Sequence, residues 1–270
     1  MIIFNNNSIG YVLDTDASKV IEAVRSTGVT ITPAMMHYAH YLISNMKNIG
    51  TWQLSNAVYG FVGGTADSHK WNWKDTRDLD AAFRLTYFNS PTHSSNGAST
   101  NGTSSYIDTN FNPSLNLTTR NTYLSVYLKS VGTSNSSHIT GATNSSIPTS
   151  TILMINRPNS SSFISSSSLN YFAAIPAQSI LTGCLVGNSN SNNIFLYKNG
   201  LDLTNFRAVG TSTVFPNLNV VIGGSRTNAG VGSFSQITIP FYSIGAGLTD
   251  AQSIQQSQIV TNAQAILNRL

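Results

Sequence analysis

Residues 59–83 read YGFVGGTADSHKWNWKDTRDLDAAF. A double glycine, a histidine, two lysines, two tryptophans and four aspartates stand within 25 residues, the densest run of chemically capable side chains in the sequence. Such a run is either an active site or the fold signature of a protein that catalyses nothing. The flanking sequence has to decide between them.

The chain has 270 residues, enough for one large domain or one domain with an appendage. Hydrophobic residues make up 40%, which suffices for a core, but charged residues only 9%, against about 25% in an ordinary soluble protein. Ser, Thr and Asn fill the gap, and a surface of hydroxyls and amides suits short strands and turns. The net charge of +4 comes from scattered residues with no run of Lys or Arg. A dense basic face for nucleic acid is therefore not expected. The single cysteine, Cys184, lies in the apolar run ILTGCLVG and reads as a small buried hydrophobe. The N-terminal MIIFNNNSIGYVL has no basic segment followed by a long apolar core, and no run of 18 apolar residues occurs. Neither a signal peptide nor membrane insertion is expected. A protein of this surface composition would then leave its cell by another route, such as lysis with a virus particle.

Residues 1–55 read as a helical region. Asp16 is a candidate N-cap for a helix whose face carries Val20, Ile21 and Val24. Thr32 and Pro33 open a second helix with Met35, Met36, Ala39, Leu42, Ile43 and Met46 at helical spacing, and Gly50 can end it. From about residue 60 to 246 the pattern is β. Residues 82–88, 122–130, 151–157, 193–200, 217–224 and 235–245 read as strands. Asn199-Gly200 predicts a two-residue hairpin turn. Serine-rich stretches between them, most plainly NSSSFISSSSL at 159–169, read as surface loops. Thr249 with Gln252 forms a capping box for a terminal helix with Ile259, Ala263, Ile266, Leu267 and Leu270 on its apolar face. Many short strands without intervening helices predict an antiparallel β-sandwich over residues 56–270, closed by that helix. No internal repeat or long heptad array is present.

The chemistry is thin. Of ten carboxylates only Glu22 is a glutamate, and beyond Asp108 only Asp202 and Asp250 remain. Glycoside hydrolysis needs two carboxylates flanking the scissile bond, and no E-x-D-x-x-E triplet occurs. Asp75, Asp78 and Asp80 are close enough for a calcium loop but lack EF-hand spacing, and a solvated turn explains them as well. His37 and His40, three apart on a helix, could flank a metal or be partly buried. No G-x-S-x-G elbow is present, and Gly63-Gly64 and Gly223-Gly224 lack a phosphate-cradling pattern. Trp52, Trp71 and Trp73 either stack on sugars or belong to the core, where each indole N–H needs a partner.

Residues 57–87 (AVYGFVGGTADSHKWNWKDTRDLDAAFRLTY) resemble the opening segment of phage and prophage virion proteins with a concanavalin-like, laminin-G-like jelly roll. Members carry a helical lead ending in a tryptophan-containing turn, then F-V-G-G-T-A-x-S-H-K-x-N, then the sandwich. NIFLYKNG (193–200), NLNVVIGG (217–224) and FYSIGAGLTDAQ (241–252) follow in the family's order, so the resemblance spans roughly residues 45–270. It implies a structural protein on the particle surface, as capsid decoration, head fibre or tail fibre, with residues 1–55 attaching to other virion proteins. It implies no catalytic residue, metal or cofactor, and makes His69, Lys70, Trp71 and Trp73 architectural. Homo-oligomeric or multicopy display would let weak contacts with host surface glycans act through avidity. The rival expectation is a dedicated carbohydrate-binding adhesin or lectin, with its ligand-binding residues unknown.

Overall fold

Strand Thr122–Leu128 (TYLSVYL) shows why the layers stack as they do: every residue in it is buried. Alternate side chains of a strand point to opposite faces. Leu124, Val126 and Leu128 face one apolar cluster, with Ile107, Ile139, Ile152 and Ile222 from the opposing sheet. Tyr123 and Tyr127 face a second cluster, with Val20, Ile21, Leu42, Met46 and Val260 from the helices. A sheet covered on both faces needs a second sheet on one side and helices on the other.

The computed structural model describes residues 12–118, 121–132, 138–144, 150–157, 160–166, 173–176, 182–190, 193–203 and 214–270. The doubly covered sheet has six antiparallel strands, in the order Ser55–Tyr59, Phe241–Ala246, Thr122–Leu128, Gly183–Asn190, Asn193–Lys198 and Leu201–Asp202. The opposing nine-stranded sheet runs from Ala173–Pro176 through Ser160–Ser166, Ser150–Arg157, His138–Asn144, Val221–Ile222 and Tyr106–Asp108 to Thr86–Phe88. Ser225–Thr227 and Gly230–Gly232 attach to it beside this path, the former pairing in parallel with His138–Asn144. The protein is mainly β, a sandwich of two largely antiparallel sheets with an N-terminal helical region and a C-terminal helix.

A four-stranded sheet extends one end of the sandwich, in the order Thr92–Ser94, Gly97–Ser99, Ile237–Ile239, Ser130–Val131. Its last two strands prolong Phe241–Ala246 and Thr122–Leu128. Pro240, which has no N–H to donate, marks one break, and the Lys129 N–H donates to the Thr238 carbonyl at 2.9 Å beside the other. Gly97, at φ +110°, closes the added hairpin. A Cβ there would lie 2.2 Å from the Ile239 carbonyl oxygen, so only glycine fits.

The helices are part of the core. Helix Thr15–Arg25 buries Val20, Ile21 and Val24, and helix Pro33–Asn48 buries Tyr38, Ala39, Leu42, Ile43 and Met46. Helix Asp250–Ile266 is bound to the second of these by Gln264 donating to the Tyr38 hydroxyl at 3.1 Å. It also binds the turn after that helix, through Gln252 to the Ile49 carbonyl at 2.9 Å and Thr51 to Gln256 at 2.7 Å.

Local predictions that rest on backbone chemistry agree with the structure. Thr32 caps the second helix with Pro33 in its first turn, and Thr249 with Gln252 forms a reciprocal capping box. Asn199 and Gly200 both take positive φ between paired strands, as a type I′ turn requires. Other expectations are corrected. The first helix is capped by Asp14, not Asp16. Nothing local separates the two; Lys47 binds both carboxylates at 2.8 Å, and the contact particular to Asp14 is its N–H donating to His40 Nδ1 at 3.0 Å. Met35 and Met36 are only partly buried, and Tyr38 takes the inward place. Within 159–169, Ser160–Ser166 is a strand hydrogen-bonded on both sides, so its neighbours rather than its composition make it β. Residues 80–82 form a 3₁₀ turn, so the strand expected over 82–88 begins at Thr86. In 217–224 only Val221–Ile222 is strand. Leu270 is 67% exposed, while its neighbour Arg269 is buried.

Candidate ligand groove

The run at 59–83 folds into scaffold. Trp71 and Trp73 are 6% and 3% exposed. Trp73 packs edge-on against Tyr38 with ring centres 5.8 Å apart, and its main-chain N–H donates to the Val58 carbonyl at 2.8 Å. Gly60 is glycine because a Cβ there would sit 2.0 Å from the Trp73 ring. Asn72, which the sequence does not single out, is buried between them and makes four hydrogen bonds. Its Oδ1 accepts from the Val58 and Lys74 N–H groups at 3.0 and 3.1 Å; its Nδ2 donates to the Asn56 and Ala82 carbonyls at 3.3 and 3.0 Å. Asn72 and Asp75 bridge across a tight turn that ties the first strand to the segment after it, and both indoles enter the cluster on the helix side of the six-stranded sheet. The Trp71 indole N–H, expected to find a partner, is buried without one among the described residues.

Each aspartate of the cluster is occupied by a cation. Arg77 chelates Asp75, Lys70 and Arg84 hold Asp78 at 2.8 Å each, and Arg84 reaches Asp80 at 2.9 Å. Hydrogen bonds from Arg77 lower the Asp75 pKa, and those from Lys70 and Arg84 lower that of Asp78. These carboxylates are paired and on the surface, which suits neither a proton donor nor a shared ion. No group of three or more metal-ligating side chains occurs among the described residues. Cys184 is fully buried, and burial pushes its thiol up to about 12, far from the thiolate that nucleophilic chemistry needs.

The structure pairs His69 with His93 and separates the roles of His37 and His40. His40 accepts the Asp14 N–H through Nδ1, whereas the His37 ring stands edge-on to Tyr41. The Gly64 N–H donates to His69 Nε2 at 3.1 Å, so the His69 proton is on Nδ1, which donates to His93 Nδ1 at 3.0 Å. Both rings are neutral in this arrangement. Burial first, then His93 and Arg269, hold the His69 pKa well below the ordinary value, and burial lowers that of His93.

A concave feature lies on the four-stranded sheet. In the run Ile237-Thr238-Ile239 the isoleucines enter the core and Thr238 faces out. Thr238 pairs with Ser99 on one side and Ser130 on the other, and Ser99 pairs with Thr92. Four hydroxyl side chains thus cross four strands in one row. The Ser99 and Thr238 hydroxyls are 2.8 Å apart, and Ser130 donates to Thr238 at 2.9 Å. This row floors a groove of about 560 Å3, walled by Ser90, Asn101, Ser105, Gly132 and Gln236, within the size range of small-molecule sites. The Asn101 side chain is used to hold its own loop, accepting from the N–H groups of Thr103, Ser104 and Ser105 at 2.9, 2.9 and 3.0 Å. None of the described lining residues is ionisable. The described lining can exchange hydrogen bonds with a neutral polar ligand. Sequence alone missed it because its hydroxyls come from three segments far apart in the chain, the hairpin of Thr92 and Ser99 and the strands of Ser130 and Thr238, in a chain where Ser and Thr are everywhere.

No protein-family model matches the chain, and no curated protein matches it. Among solved structures, it is similar to domain 4 of AbnA, an extracellular arabinanase from Geobacillus stearothermophilus solved with arabinotriose. Identity there is 15% and the TM-score 0.48, over 76% of this chain and 98% of that one. It is also similar to the CBM40 of an IT-sialidase from Ruminococcus gnavus, at 13% identity and a TM-score of 0.41, over 51% and 82% of the two chains. A leech intramolecular trans-sialidase matches at 15% identity and a TM-score of 0.40, over 52% of this chain and 23% of that one.

Proposed function

We propose that this protein binds carbohydrate in the groove above Thr92, Ser99, Thr238 and Ser130 and performs no chemistry on it. The observation that carries the reading is the uncharged cross-strand row of hydroxyls. Each hydroxyl offers one donor and two acceptor sites, and the mutual bonds of Ser99, Thr238 and Ser130 leave further capacity directed outward. A sugar, itself a rim of hydroxyls, matches that surface better than an ionic or apolar ligand. The cation-paired aspartates support binding without hydrolysis.

The test is an array of bacterial surface polysaccharides probed with the native protein and with Thr238→Val, which keeps the shape and removes the central hydroxyl. Loss of about 1.4 kcal/mol of hydrogen bonding would weaken binding roughly tenfold. Failure to bind any polysaccharide, or undiminished binding by Thr238→Val, sinks the reading. Released sugar from any array member would show an enzyme instead.

The setting we infer is the outside of a phage particle, supported by the resemblance of residues 57–87 and the three later segments to virion proteins. Attachment to that particle would use the outward faces of the helices, since Leu42, Ile43 and Met46 are buried inside the protein. Immunogold labelling of purified particles tests the setting; unlabelled particles with abundant free protein in the lysate exclude it.

A further inference from the structure

The outer face of the nine-stranded sheet carries an aromatic strip for which the core has no use. Phe88 and Tyr106 are direct cross-strand partners, with rings stacked 4.7 Å apart at 7°. Phe234 extends the strip, 6.3 Å from Tyr106. The neighbouring Tyr87 and Ile107 point the other way, into the core. Phe88 is 38% exposed and stands on the last strand of that sheet, so no further described strand covers it. The Arg226 guanidinium lies 6.0 Å from the Tyr106 ring centre, but it is paired to the buried Asp108 at 2.6 Å. The strip therefore presents no uncompensated charge.

The strip adjoins the groove. Each of its rings lies within two residues of a groove-lining side chain on the same segment: Phe88 near Ser90, Tyr106 beside Ser105, Phe234 near Gln236. Two residues of chain span at most about 7 Å, so the backbone that carries the strip runs beside the backbone that lines the groove. A row of hydroxyls beside a partly exposed aromatic strip matches a ligand with polar rims and apolar C–H faces, repeated along its length.

Resting on the proposed function, we infer that Phe88, with Tyr106 and Phe234 behind it, forms a second subsite for the same ligand. The ligand is a neutral oligosaccharide of at least two sugars. One sugar hydrogen-bonds to the Thr238 row, and a neighbouring pyranose lays its C–H face on the strip. The groove alone then holds a single sugar weakly, and affinity grows with chain length through Phe88.

The experiment titrates neutral hexasaccharides from the array, and their component monosaccharides, into the native protein, Phe88→Ala, Phe88→Trp and Thr238→Val. Phe88 is at the surface, so its variants retain the fold, checked by melting. The native protein should bind a hexasaccharide at least tenfold more tightly than its monosaccharide. Phe88→Ala should erase that difference, Phe88→Trp should keep it, and Thr238→Val should weaken both ligands. Hexasaccharide binding unchanged in Phe88→Ala overturns the second subsite and leaves the groove standing. Binding lost in Phe88→Ala but intact in Thr238→Val overturns the groove reading. Absence of binding to any saccharide overturns both.

Discussion

The guanidinium of Arg269 donates to the main-chain carbonyl of Phe61 at 2.7 Å, joining residues 208 positions apart, both buried. The same side chain donates to the Ser95 carbonyl at 2.7 Å and the Gly60 carbonyl at 3.3 Å, and lies 5.6 Å from the Tyr38 ring centre. Phe61 itself is held at φ +46°, a region disfavoured for a residue with a Cβ. One cation thus clasps the C-terminal end to the opening run of the sandwich and to the hairpin that carries Thr92 and Ser99.

Arg269→Ala leaves the buried carbonyls of Gly60 and Phe61 without that donor and should cost on the order of 3 kcal/mol. Arg269→Lys, a point charge in place of a planar fork, should fall between it and the native protein. Urea midpoints report both. Midpoints within a few tenths of native for the two variants would show that the clasp is unimportant.

Trp71 and Asn72 test the scaffold reading of residues 59–83. Trp71→Ala should cost about 3–5 kcal/mol through its cavity. Asn72→Asp, which replaces two amide donor hydrogens with charge in a buried site, should destabilise by about 3 kcal/mol or more. Saccharide binding by whatever fraction remains folded should be unchanged. A Trp71→Ala protein with native melting and no saccharide binding would instead make Trp71 part of the ligand site.

A chain beginning at Trp52 should fail to fold as a monomer. It loses Val20, Ile21, Leu42, Ile43 and Met46 from a cluster shared with Tyr123, Tyr127 and Phe241, and so uncovers one face of the six-stranded sheet. Contiguous exposed apolar surface of that kind drives association. A sharp two-state melt and a monomeric elution volume for the truncated chain would count against this.

The His69–His93 pair makes stability depend on pH. Folded pKa values lie below the ordinary 6.5, so between the two the unfolded chain binds more protons than the folded one. The contribution is fully present above about 6.5 and is lost as pH falls toward the folded values. Protonating His69 would also forfeit its acceptance of the Gly64 N–H. Urea midpoints should drop between about pH 7.5 and pH 5. His69→Gln should be weaker at neutral pH but show a shallower drop, and an equal slope in the variant would rule the pair out as the source.

Local chemistry made much of the architecture readable. Thr32-Pro33, Thr249 with Gln252, and Asn199-Gly200 fix their own backbone within four residues, so no distant partner can alter them. The alternation in Thr122–Leu128 and Phe241–Ala246 announces strands wherever they end up. Four other features needed the fold. Ser160–Ser166 is a strand because two neighbours hydrogen-bond to it; its serines carry no apolar pattern. The helical region reads as an appendage in sequence, but the helices complete the core because the six-stranded sheet has a second apolar face to cover. Arg269 is buried because carbonyls some 170 to 210 positions away converge on it. Above all, the groove is written nowhere in the sequence. Thr92, Ser99, Ser130 and Thr238 become a single row only when strand register sets them opposite one another, and register is a property of paired strands.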